Sequence, residues 1–419
     1  MSIFIYRFIL YPFLFILAHV YAIFNKKIRK ALLARYSTLM DSKNIGKNST
    51  KTVLLHTASM GEFEHVKPLI RVLKQQNNIR IIVTFFSPSG FDNISQFEGV
   101  DHFLYIPFDF GWLLKKFYEN LKPDILIIAK HDAWLNQVLI ARKMDIPVFL
   151  INASLSTSSS RISPLARWLL KPVYSAINKI YTISEEDEAA FKQFFPGVNI
   201  KAIGDTKFDQ VVIRRDQAFK KDVLPKDWVH NAFVVVLGSI WKEDAEKTLP
   251  GLKRLLKKYP QIKVIAVPHN PTEEFLSRIM TDFNEIKTRL YSKVTTNPAE
   301  RIILIDRIGI LADLYKYAQI AFVGGSFKQG IHNVMEAAVY GIPVLYGPVH
   351  QNASEAVRLN RYAGSFVFNT DKEFEQIVER LINHNEIREE VGKKTKQFAL
   401  ANMHATEKLV KELETLLRT

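Results

Sequence analysis

Glu62 ends a short stretch, Thr57–Glu62, that separates an apolar run from an amphipathic helical segment. Ser59 and Glu62 have the spacing of a capping box, in which two side chains close the first turn of a helix. The same position suits a general base, because the positive end of the helix dipole favours the ionised carboxylate that a base requires. The sequence leaves both roles open; as a base, Glu62 would point into a cleft between two domains.

Three other polar loops could bind or stabilise charged groups. Gly204–Asp209 contains Lys207, a candidate cation for a departing phosphate, although on spacing alone a surface lysine is the simpler interpretation. Lys130–Trp134 places Asp132 directly after a buried run, where the alternative is a solvated strand end. Ser87–Gly90 is either a turn or a set of hydroxyl and amide groups offered to a phosphate or carboxylate.

The most specific pattern is a glycine turn followed by polar residues. Gly324-Gly325-Ser326 follows an apolar run, and Asn333, Glu336 and Gly341-Ile342-Pro343 come after it. Glycines let the backbone approach a phosphate closely, and amides at a helix start point toward it. Asn333 and Glu336 are three residues apart, so they would share one helix face, where the carboxylate could accept from both hydroxyls of a ribose. The pattern predicts a nucleotide-sugar site.

The elements that must position these loops are short apolar runs that alternate with amphipathic helical stretches. Such runs are typical of parallel strands covered on both faces. The predicted strands are Thr52–His56, Ile79–Phe86, Asp124–Ala129, Val148–Asn152, Lys179–Ile183, Lys201–Gly204, Phe233–Gly238, Lys263–Pro268, Arg301–Ile305, Ile320–Val323 and Pro343–Tyr346. The two series of runs predict an α/β protein with two doubly wound domains.

The domain organisation follows from composition and charge. The charged stretch Arg214–Asn231 is the expected linker, so residues 31–215 would form the first domain and 216–419 the second. The last predicted helix, His404–Arg418, could fold back onto either domain. In such sheets, ligands bind beyond the carboxyl ends of the strands, which is where the polar loops lie.

Residues 1–30 predict a membrane anchor. Ile3–Phe24 is mostly apolar and, as a helix, would be about 33 Å long, close to the thickness of the bilayer core. Lys26, Lys27, Arg29, Lys30 and Arg35 follow it, which is the reverse of a secretory signal and predicts that the body of the protein is cytoplasmic. Arg7 and His19 within the run leave open whether the helix spans the membrane or lies in its plane.

The overall composition narrows the classes of partner. The net charge of +15 predicts association with an anionic surface or substrate. The anchor favours an anionic membrane over nucleic acid, for which the chain carries no recognisable motif. The absence of cysteine excludes disulfides, Cys-based zinc or iron–sulfur sites and a thiol nucleophile.

These motifs together resemble the Kdo transferases, bacterial enzymes that move 3-deoxy-D-manno-oct-2-ulosonic acid (Kdo) from CMP-Kdo to a lipid A precursor. The resemblance covers nearly the whole chain in order. It rests on the anchor and on Ala58–Glu62, Ser87–Gly90, Trp134, Asn136, Gly204–Asp209, Val267–Pro271, Gly324–Ser326 and His332–Ala337.

The resemblance implies a GT-B fold, with the acceptor site in the first Rossmann-like domain and the nucleotide site in the second. It further implies a metal-independent enzyme without a cofactor. Glu62 would be the catalytic base and Lys207 would stabilise the transition state, with Asp132 as a third catalytic residue. The implied donor-binding residues are Pro268, His269, Ile308, Gly309, Ile310, Gly324, Gly325, Ser326, Asn333, Val334, Met335 and Glu336.

Three departures from the family pattern bear on activity. The usual Glu-Thr-Glu-Leu-Trp is Lys130–Trp134 here, which reverses one charge and shortens the second acid to Asp132. Where the family has Pro-Arg-His-Pro, this chain has Pro268-His269-Asn270-Pro271. His269 therefore replaces an arginine that binds phosphate, and histidine is not a fixed cation at pH 7. The stretch Ile308-Gly309-Ile310 lacks the acid of Met-Gly-Glu. These changes suggest a divergent branch, an altered donor or acceptor, or reduced activity.

The resulting hypothesis is an inverting glycosyltransferase of lipopolysaccharide biosynthesis that takes CMP-Kdo and a phosphorylated lipid A precursor of the lipid IVA type. It would work at the cytoplasmic face of the inner membrane. Two alternatives stay open at this point. One is an epimerase or hydrolase that acts on a UDP-sugar, and the other is a membrane-tethered binder of nucleotide sugars without catalytic activity.

Overall fold

The structure, a computed structural model, describes residues 1–46, 50–75, 79–92, 94, 96–156, 159–295 and 299–417. It contains two compact units. One is formed by Met1–Gln210 together with Met403–Thr419, and the other by Val211–Asn402. Each unit is built around one seven-stranded parallel sheet.

The first sheet has the strand order β3-β2-β1-β4-β5-β6-β7. Its strands are β1 (Lys51–Thr57), β2 (Ile79–Phe85), β3 (His102–Tyr105), β4 (Ile125–Ala129), β5 (Val148–Ala153), β6 (Lys179–Thr182) and β7 (Ile200–Ala202). The second sheet has the order β10-β11-β9-β8-β12-β13-β14. Its strands are β8 (Phe233–Ile240), β9 (Ile262–Pro268), β10 (Thr288–Leu290), β11 (Ile302–Leu304), β12 (Ile320–Val323), β13 (Val344–Tyr346) and β14 (Phe366–Val367).

Near the middle of each sheet, the chain progresses outward in opposite directions from two neighbouring strands. The reversal lies between β1 and β4 in the first sheet and between β8 and β12 in the second. Such reversals leave a crevice at the carboxyl ends of the two strands, where ligands bind in open α/β sheets. The polar loops singled out in the sequence follow these strands: Thr57–Glu62 follows β1, Lys130–Trp134 follows β4, and Gly324–Ser326 follows β12.

Helices alternate with the strands. In the first unit they are α1 (Ser2–Ile5), α2 (Tyr11–Phe24), α3 (Lys26–Ile45), α4 (Met60–Gln75), α5 (Pro88–Phe91), α6 (Gly111–Leu121), α7 (Leu135–Lys143), α8 (Pro164–Ala176) and α9 (Glu185–Phe194). From α10 onward they are α10 (Thr206–Ala218), α11 (Lys226–Val229), α12 (Lys242–Lys258), α13 (Glu273–Asp282), α14 (Leu311–Leu314), α15 (Met335–Ala338), α16 (Ser354–Ala363), α17 (Asp371–Asn383), α18 (Asn385–Ala401) and α19 (Ala405–Leu417).

The core of the first unit has two layers, because successive strand residues point to opposite faces of the sheet. In β1, Leu54 packs in one layer, whereas Val53 and Leu55 pack in the other. All three side chains are fully buried. Burial on both faces explains why the central strands are continuous apolar runs in the sequence.

All eleven predicted strands correspond to strands of the structure. Three strands were not predicted: β3, β10 and β14. Each lies at an edge of its sheet, where one side of the strand is unpaired. Edge strands are short and partly exposed, so they lack the buried apolar run from which the other strands were predicted.

The linker and the last helix differ in detail from expectation. Arg214–Asn231 begins inside α10, which continues to Ala218, and contains α11. The division between the compact units falls after Gln210, within α10, and not after residue 215. At the carboxyl end, α19 packs on α4, with Leu409 and Leu413 in the core of the first unit. Arg418, at the end of that predicted helix, lies outside the described residues.

The amino-terminal segment forms one continuous apolar helix, Ser2–Phe24, with a wider π-helical turn over Tyr6–Leu10. It is long and apolar enough to cross a membrane, by length and composition only. Its first turns nevertheless contact the first unit. Tyr6 donates to Asp109 Oδ2 at 2.7 Å, and Arg7 Nε donates to Asn136 Oδ1 at 2.7 Å.

The basic residues after this helix do not all face solvent. Lys26, Lys27, Arg29 and Lys30 are exposed. Arg35 is buried: its guanidinium lies over the Phe86 ring, 4.2 Å from the ring centre, and donates to the Phe86 carbonyl. Arg35 therefore differs from the other basic residues that follow the helix, because its charge lies inside the first unit.

Candidate active site

Asp132 is held by two side chains just beyond β4. Its Oδ2 accepts from His56 Nε2 at 3.0 Å, and its Oδ1 accepts from Trp134 Nε1 at 3.0 Å. His56 is the penultimate residue of β1, is fully buried, and has its Nδ1 2.9 Å from Thr84 Oγ1. Because both carboxylate oxygens are engaged, the orientation of Asp132 is fixed by its neighbours.

His56 was not predicted as a site residue. It lies inside an apolar run, so the sequence presented it as part of a strand. Its position could have suggested a role, because it is adjacent to the loop that carries Glu62 and β1 borders the reversal of strand order.

Glu62 lies in the first turn of α4. Its Oε2 accepts from the Ala58 N–H at 2.6 Å, so the carboxylate closes the start of the helix as the capping interpretation predicted. Burial raises the pKa of Glu62; the Ala58 N–H acts against this, and the charge of Asp132 adds to it. Lys130 and His56 lower the pKa. The structure thus brings Glu62 within electrostatic reach of Asp132, and a raised carboxyl pKa is typical of a general base.

Lys207 forms part of a second buried cluster in the first unit. Its ammonium lies 3.6 Å from Asp205 Oδ2, and His65 Nδ1 lies 3.4 Å from Asp205 Oδ1. Burial alone would raise the pKa of Asp205, but Lys207 and His65 outweigh it and hold that pKa below its usual value. Lys207 is therefore a positioned ammonium group and not a mobile surface lysine, which was the simpler interpretation of its spacing.

His65, which belongs to the Lys207 cluster, lies on the same helix as Glu62. It is one turn from Glu62 on α4, so both side chains project from neighbouring positions of one helix. Sequence reasoning missed His65 because a histidine in an amphipathic helix carries no distinguishing pattern. These two clusters of the first unit therefore contain three carboxylates (Glu62, Asp132 and Asp205), two histidines and the Lys207 ammonium group.

The glycine turn of the second unit is built around Asp244. This carboxylate accepts from the Gly325 N–H at 2.7 Å and from the Trp241 N–H at 2.8 Å. Gly325 has φ +79°, and a Cβ atom there would lie 2.3 Å from the Gly330 carbonyl oxygen. At Gly324 a Cβ atom would lie 2.3 Å from the Ser239 carbonyl oxygen. Only glycine fits both positions, so the turn lies directly against the end of β8.

Asp244 was missed as part of this site. It is fully buried, and burial raises its pKa to about 6 against the opposing effect of the Gly325 and Trp241 N–H groups. Ser326 also has an internal role, because its hydroxyl donates to the Val323 carbonyl and accepts from the Gly347 N–H. The side chains of Asp244 and Ser326 therefore hold the turn in place.

His269 stacks on a coplanar pair of rings. Trp241 Nε1 donates to His332 Nε2 at 2.9 Å, with 7° between the two ring planes. The His269 ring centre lies 4.4 Å from that of Trp241 and 4.5 Å from that of His332. Burial lowers the pKa of His269, and burial together with His269 lowers the pKa of His332 to about 4. His269 is thus placed as an aromatic surface and not as a cation.

A cavity of about 270 Å³ adjoins these rings. Its lining includes Trp241, His269, Asn270 and Arg278. Pro268 precedes it as the last residue of β9. Arginine stays ionised at all physiological pH values, so Arg278 is a permanent cation near His269, and it is paired with Glu246, whose Oε1 accepts from Arg278 Nη2 at 3.2 Å.

The remaining donor-site residues are spread over two loops. Asn333 lies before α15, and its Oδ1 accepts from the Met335 N–H at 3.1 Å. The prediction that Asn333 and Glu336 share one helix face is wrong, because α15 spans only Met335–Ala338. Glu336 accepts from Arg214 Nη1 at 3.1 Å. The carboxylate that was expected to accept from the ribose hydroxyls is therefore already part of an ion pair.

Two stretches of predicted donor residues differ in exposure. Val334 and Met335 are buried, so only their backbone could meet a ligand. In the other loop, Ile308 is 77% exposed and Gly309 has φ +90° with open space where a Cβ atom would be. Ile310 is the residue before α14.

Comparison with known proteins shows to which family this chain belongs. The profile of the 3-deoxy-D-manno-octulosonic-acid transferase (kdotransferase) family matches residues 30–210. The enzyme of that name from Aquifex aeolicus is 30% identical over 306 residues, which cover 72% of this chain and 77% of the relative. The chain belongs to the Kdo transferase family. The Haemophilus influenzae Kdo transferase is 28% identical over 380 residues, 87% of each chain.

Solved structures support the fold of this Kdo transferase family member. UDP-GlcNAc 2-epimerase from Neisseria meningitidis, bound to UDP-GlcNAc, superposes with a TM-score of 0.63 at 18% identity and covers 87% of this chain and 100% of its own. Sucrose-phosphate synthase from Thermosynechococcus elongatus gives a TM-score of 0.51 at 12% identity, with 88% and 99% covered. At these identities the similarity concerns the fold alone, and it confirms the predicted GT-B class.

Membership of the Kdo transferase family also settles the class of enzyme. The protein is a glycosyltransferase that acts in Kdo transfer for lipopolysaccharide biosynthesis. Within the described ranges, no three His, Cys, Asp or Glu side chains gather as a metal ion would require. Independence from metals and cofactors stays a prediction, as do the roles of the individual site residues.

Proposed function

We propose that this protein transfers Kdo from CMP-Kdo to a phosphorylated lipid A precursor, with inversion at the sugar carbon. The observation that carries the proposal is the pair of carboxylates beyond β1 and β4. Glu62 has a raised pKa, and Asp132 is held by His56 and Trp134. A carboxylate of this kind can accept a proton from a sugar hydroxyl as the hydroxyl becomes a nucleophile.

In the proposed reaction, Glu62 takes the proton of the acceptor hydroxyl while that oxygen bonds to C2 of Kdo. The bond between C2 and the phosphate oxygen breaks, and CMP leaves with the electron pair. Negative charge grows on the departing phosphate, so a positioned ammonium group such as Lys207 would stabilise the transition state more than the ground state. Asp205 supports this role by holding the lysine side chain in one place.

Donor binding is proposed for the second unit. The N–H groups of Gly324 and Gly325 donate to the Gly238 carbonyl and to Asp244, so we propose that the turn shapes the donor site, while Arg278 adds a charged group beside it. We propose that His269 contributes an aromatic face and a neutral hydrogen-bonding group in place of the family's arginine. The segments 308–310 and 333–336 would complete the site mainly through their backbone.

The contacts of the amino-terminal helix favour an in-plane membrane anchor over a membrane span. If the helix crossed the bilayer, its first turns would lie on the far side from the folded body. Tyr6 and Arg7 instead donate to Asp109 and Asn136 of that body. We propose that the helix lies in the cytoplasmic surface of the inner membrane, with its exposed aromatic side chains, such as Phe8 and Phe13, in the lipid.

A direct assay tests the function. The purified full chain in detergent is incubated with CMP-Kdo and a tetra-acylated lipid A precursor, and CMP release and the mass of the lipid are measured. We expect both CMP and a lipid heavier by one or more Kdo units. CMP release without a heavier lipid would indicate hydrolysis, and neither product would refute the proposal. A parallel incubation with UDP-GlcNAc tests for epimerase activity.

A further inference from the structure

The first unit contains a cavity that adjoins the candidate active site and has mainly apolar walls, for which the proposed chemistry gives no role. It has a volume of about 360 Å³, within the range of small-molecule sites in proteins. It lies between the amino-terminal helix, which contributes Tyr6 and Leu10, and α8, which contributes Ala166, Leu170 and Val173. Apart from the Tyr6 hydroxyl, the side chains of these five residues are apolar, so the cavity suits a hydrocarbon better than a sugar.

The cavity is continuous with the surface assigned to the membrane. The helix that forms one wall exposes Phe4, Phe8 and Ile9 on its outer side, and these side chains are 60%, 66% and 60% exposed. On the opposite wall, Leu165 at the start of α8 is 68% exposed. Exposed aromatic and aliphatic side chains on both walls are typical of a surface that meets lipid, so a hydrocarbon chain could enter without crossing water.

The cavity is also lined by residues of the candidate active site. Asp132, Trp134 and His131 line it. Arg161 Nη1 donates to His131 Nδ1 at 3.0 Å and Arg161 Nη2 donates to the Ser154 carbonyl at 2.7 Å, which fixes a cation beside His131. A ligand with an apolar tail and an anionic head therefore matches the lining of the cavity.

We infer that this cavity holds one acyl chain of the acceptor lipid, so that the anchor helix is itself a wall of the acceptor site. The inference rests on the proposed function, because it requires an acylated acceptor. An ordinary membrane phospholipid has similar chemistry. The acceptor is the occupant we assign, because the cavity is lined by Asp132, beside the group proposed to activate the acceptor hydroxyl.

Filling the cavity tests this assignment. Ala166→Phe places a ring in the cavity, and Ser175→Phe adds a ring at an exposed position of the same helix that does not line the cavity, as the control. We expect Ala166→Phe to raise the KM for the tetra-acylated acceptor about tenfold, the loss expected from a few displaced methylene groups. The KM for CMP-Kdo should stay unchanged, and Ser175→Phe should behave like the unaltered protein. Equal effects of the two substitutions on the acceptor KM would overturn the inference.

Photocrosslinking of the unaltered protein provides a test that does not depend on a variant folding. An acceptor that carries a diazirine in one acyl chain should label peptides from residues 6–10 and 164–176. Labelling confined to other segments would overturn the inference. A diazirine phospholipid that labels these peptides and is not displaced by acceptor would show a general lipid site and overturn it too. If the unaltered protein produced no Kdo-lipid at all, the proposed function would fail first, which separates the two outcomes.

Discussion

Asp132 Oδ2 lies 3.0 Å from His56 Nε2, which joins a residue beyond β4 to the buried histidine of β1. The contact spans the point where the strand order of the first sheet reverses. Trp134 Nε1 donates a hydrogen bond to the other carboxylate oxygen of Asp132. Asp132 therefore fits a role in shaping the electrostatics around Glu62 better than a role in taking a proton itself.

Glu62→Gln should lower turnover by about 10²–10⁴-fold, the usual contribution of a general base. The helix start should remain intact, because the glutamine side-chain oxygen can still accept from Ala58 N–H. The measurement is CMP release under saturating donor. Glu64→Gln, on the same helix, is the control and should retain turnover. Comparable activity in both variants would remove Glu62 from its proposed role.

The pH dependence of kcat/KM should report the raised pKa of Glu62. Activity should fall as the pH drops through that pKa, because the base must be ionised. This fall, the acid limb of the pH profile, should therefore lie at a higher pH than an ordinary glutamate would give. Asp132→Asn removes a charge that raises this pKa, so the limb should move to lower pH. Lys130→Met removes a charge that lowers it, so the limb should move to higher pH. Shifts in the opposite directions would contradict the arrangement.

Lys207→Met should destabilise the first unit, because the carboxylate of Asp205 stays buried without its ammonium partner. The free energy of unfolding should fall by about 3 kcal/mol, which corresponds to a Tm about 6–12 °C lower. Asp205→Asn combined with Lys207→Met should recover most of the Tm, since the double variant removes both charges of this ion pair. Turnover should stay low in the double variant if Lys207 acts on the leaving phosphate, and full turnover would show that its role is structural.

His269→Arg should tighten CMP binding about fivefold, because a charge-assisted hydrogen bond to phosphate replaces a neutral one. Burial lowers the pKa of His269, so the histidine supplies no permanent charge at neutral pH. Calorimetric titration with CMP at two salt concentrations gives the measurement, and the gain should shrink at high salt. His384→Arg, at an exposed site of the same unit, should leave the affinity unchanged.

Gly325→Ala should disrupt the donor turn, because its Cβ atom would meet the Gly330 carbonyl oxygen at 2.3 Å. Gly364→Ala is the matched control: this glycine also has a positive φ, +74°, but open space surrounds its Cβ position. Gly364→Ala should lower the free energy of unfolding only by the backbone strain, about 1–2 kcal/mol. We expect CMP binding, measured by calorimetry, to be lost in the first variant and kept in the second.

Much of the architecture was predictable because the central strands are buried on both faces. Burial forces them to be apolar runs, as in Ile125–Ala129 and Ile320–Val323, and each ends at a polar loop. Glu62, Asp132 and Gly325 could be singled out for that reason. The edge strand β3 escaped prediction because its first residues, beginning with His102, are exposed or only partly buried.

The sequence by itself determined the alternation of strands and helices, the glycine turn and the order of motifs that marks the family, because these depend on local pattern. Only the tertiary structure decided which side chains meet. His56 and Asp132 are 76 positions apart, and Tyr6 and Asp109 are 103 apart. Contacts between residues so far apart in the chain arise from strand pairing and helix packing, which the local sequence pattern does not specify. For this reason the sequence could not show that His56 lies beside Asp132, or that the amino-terminal helix borders the cavity.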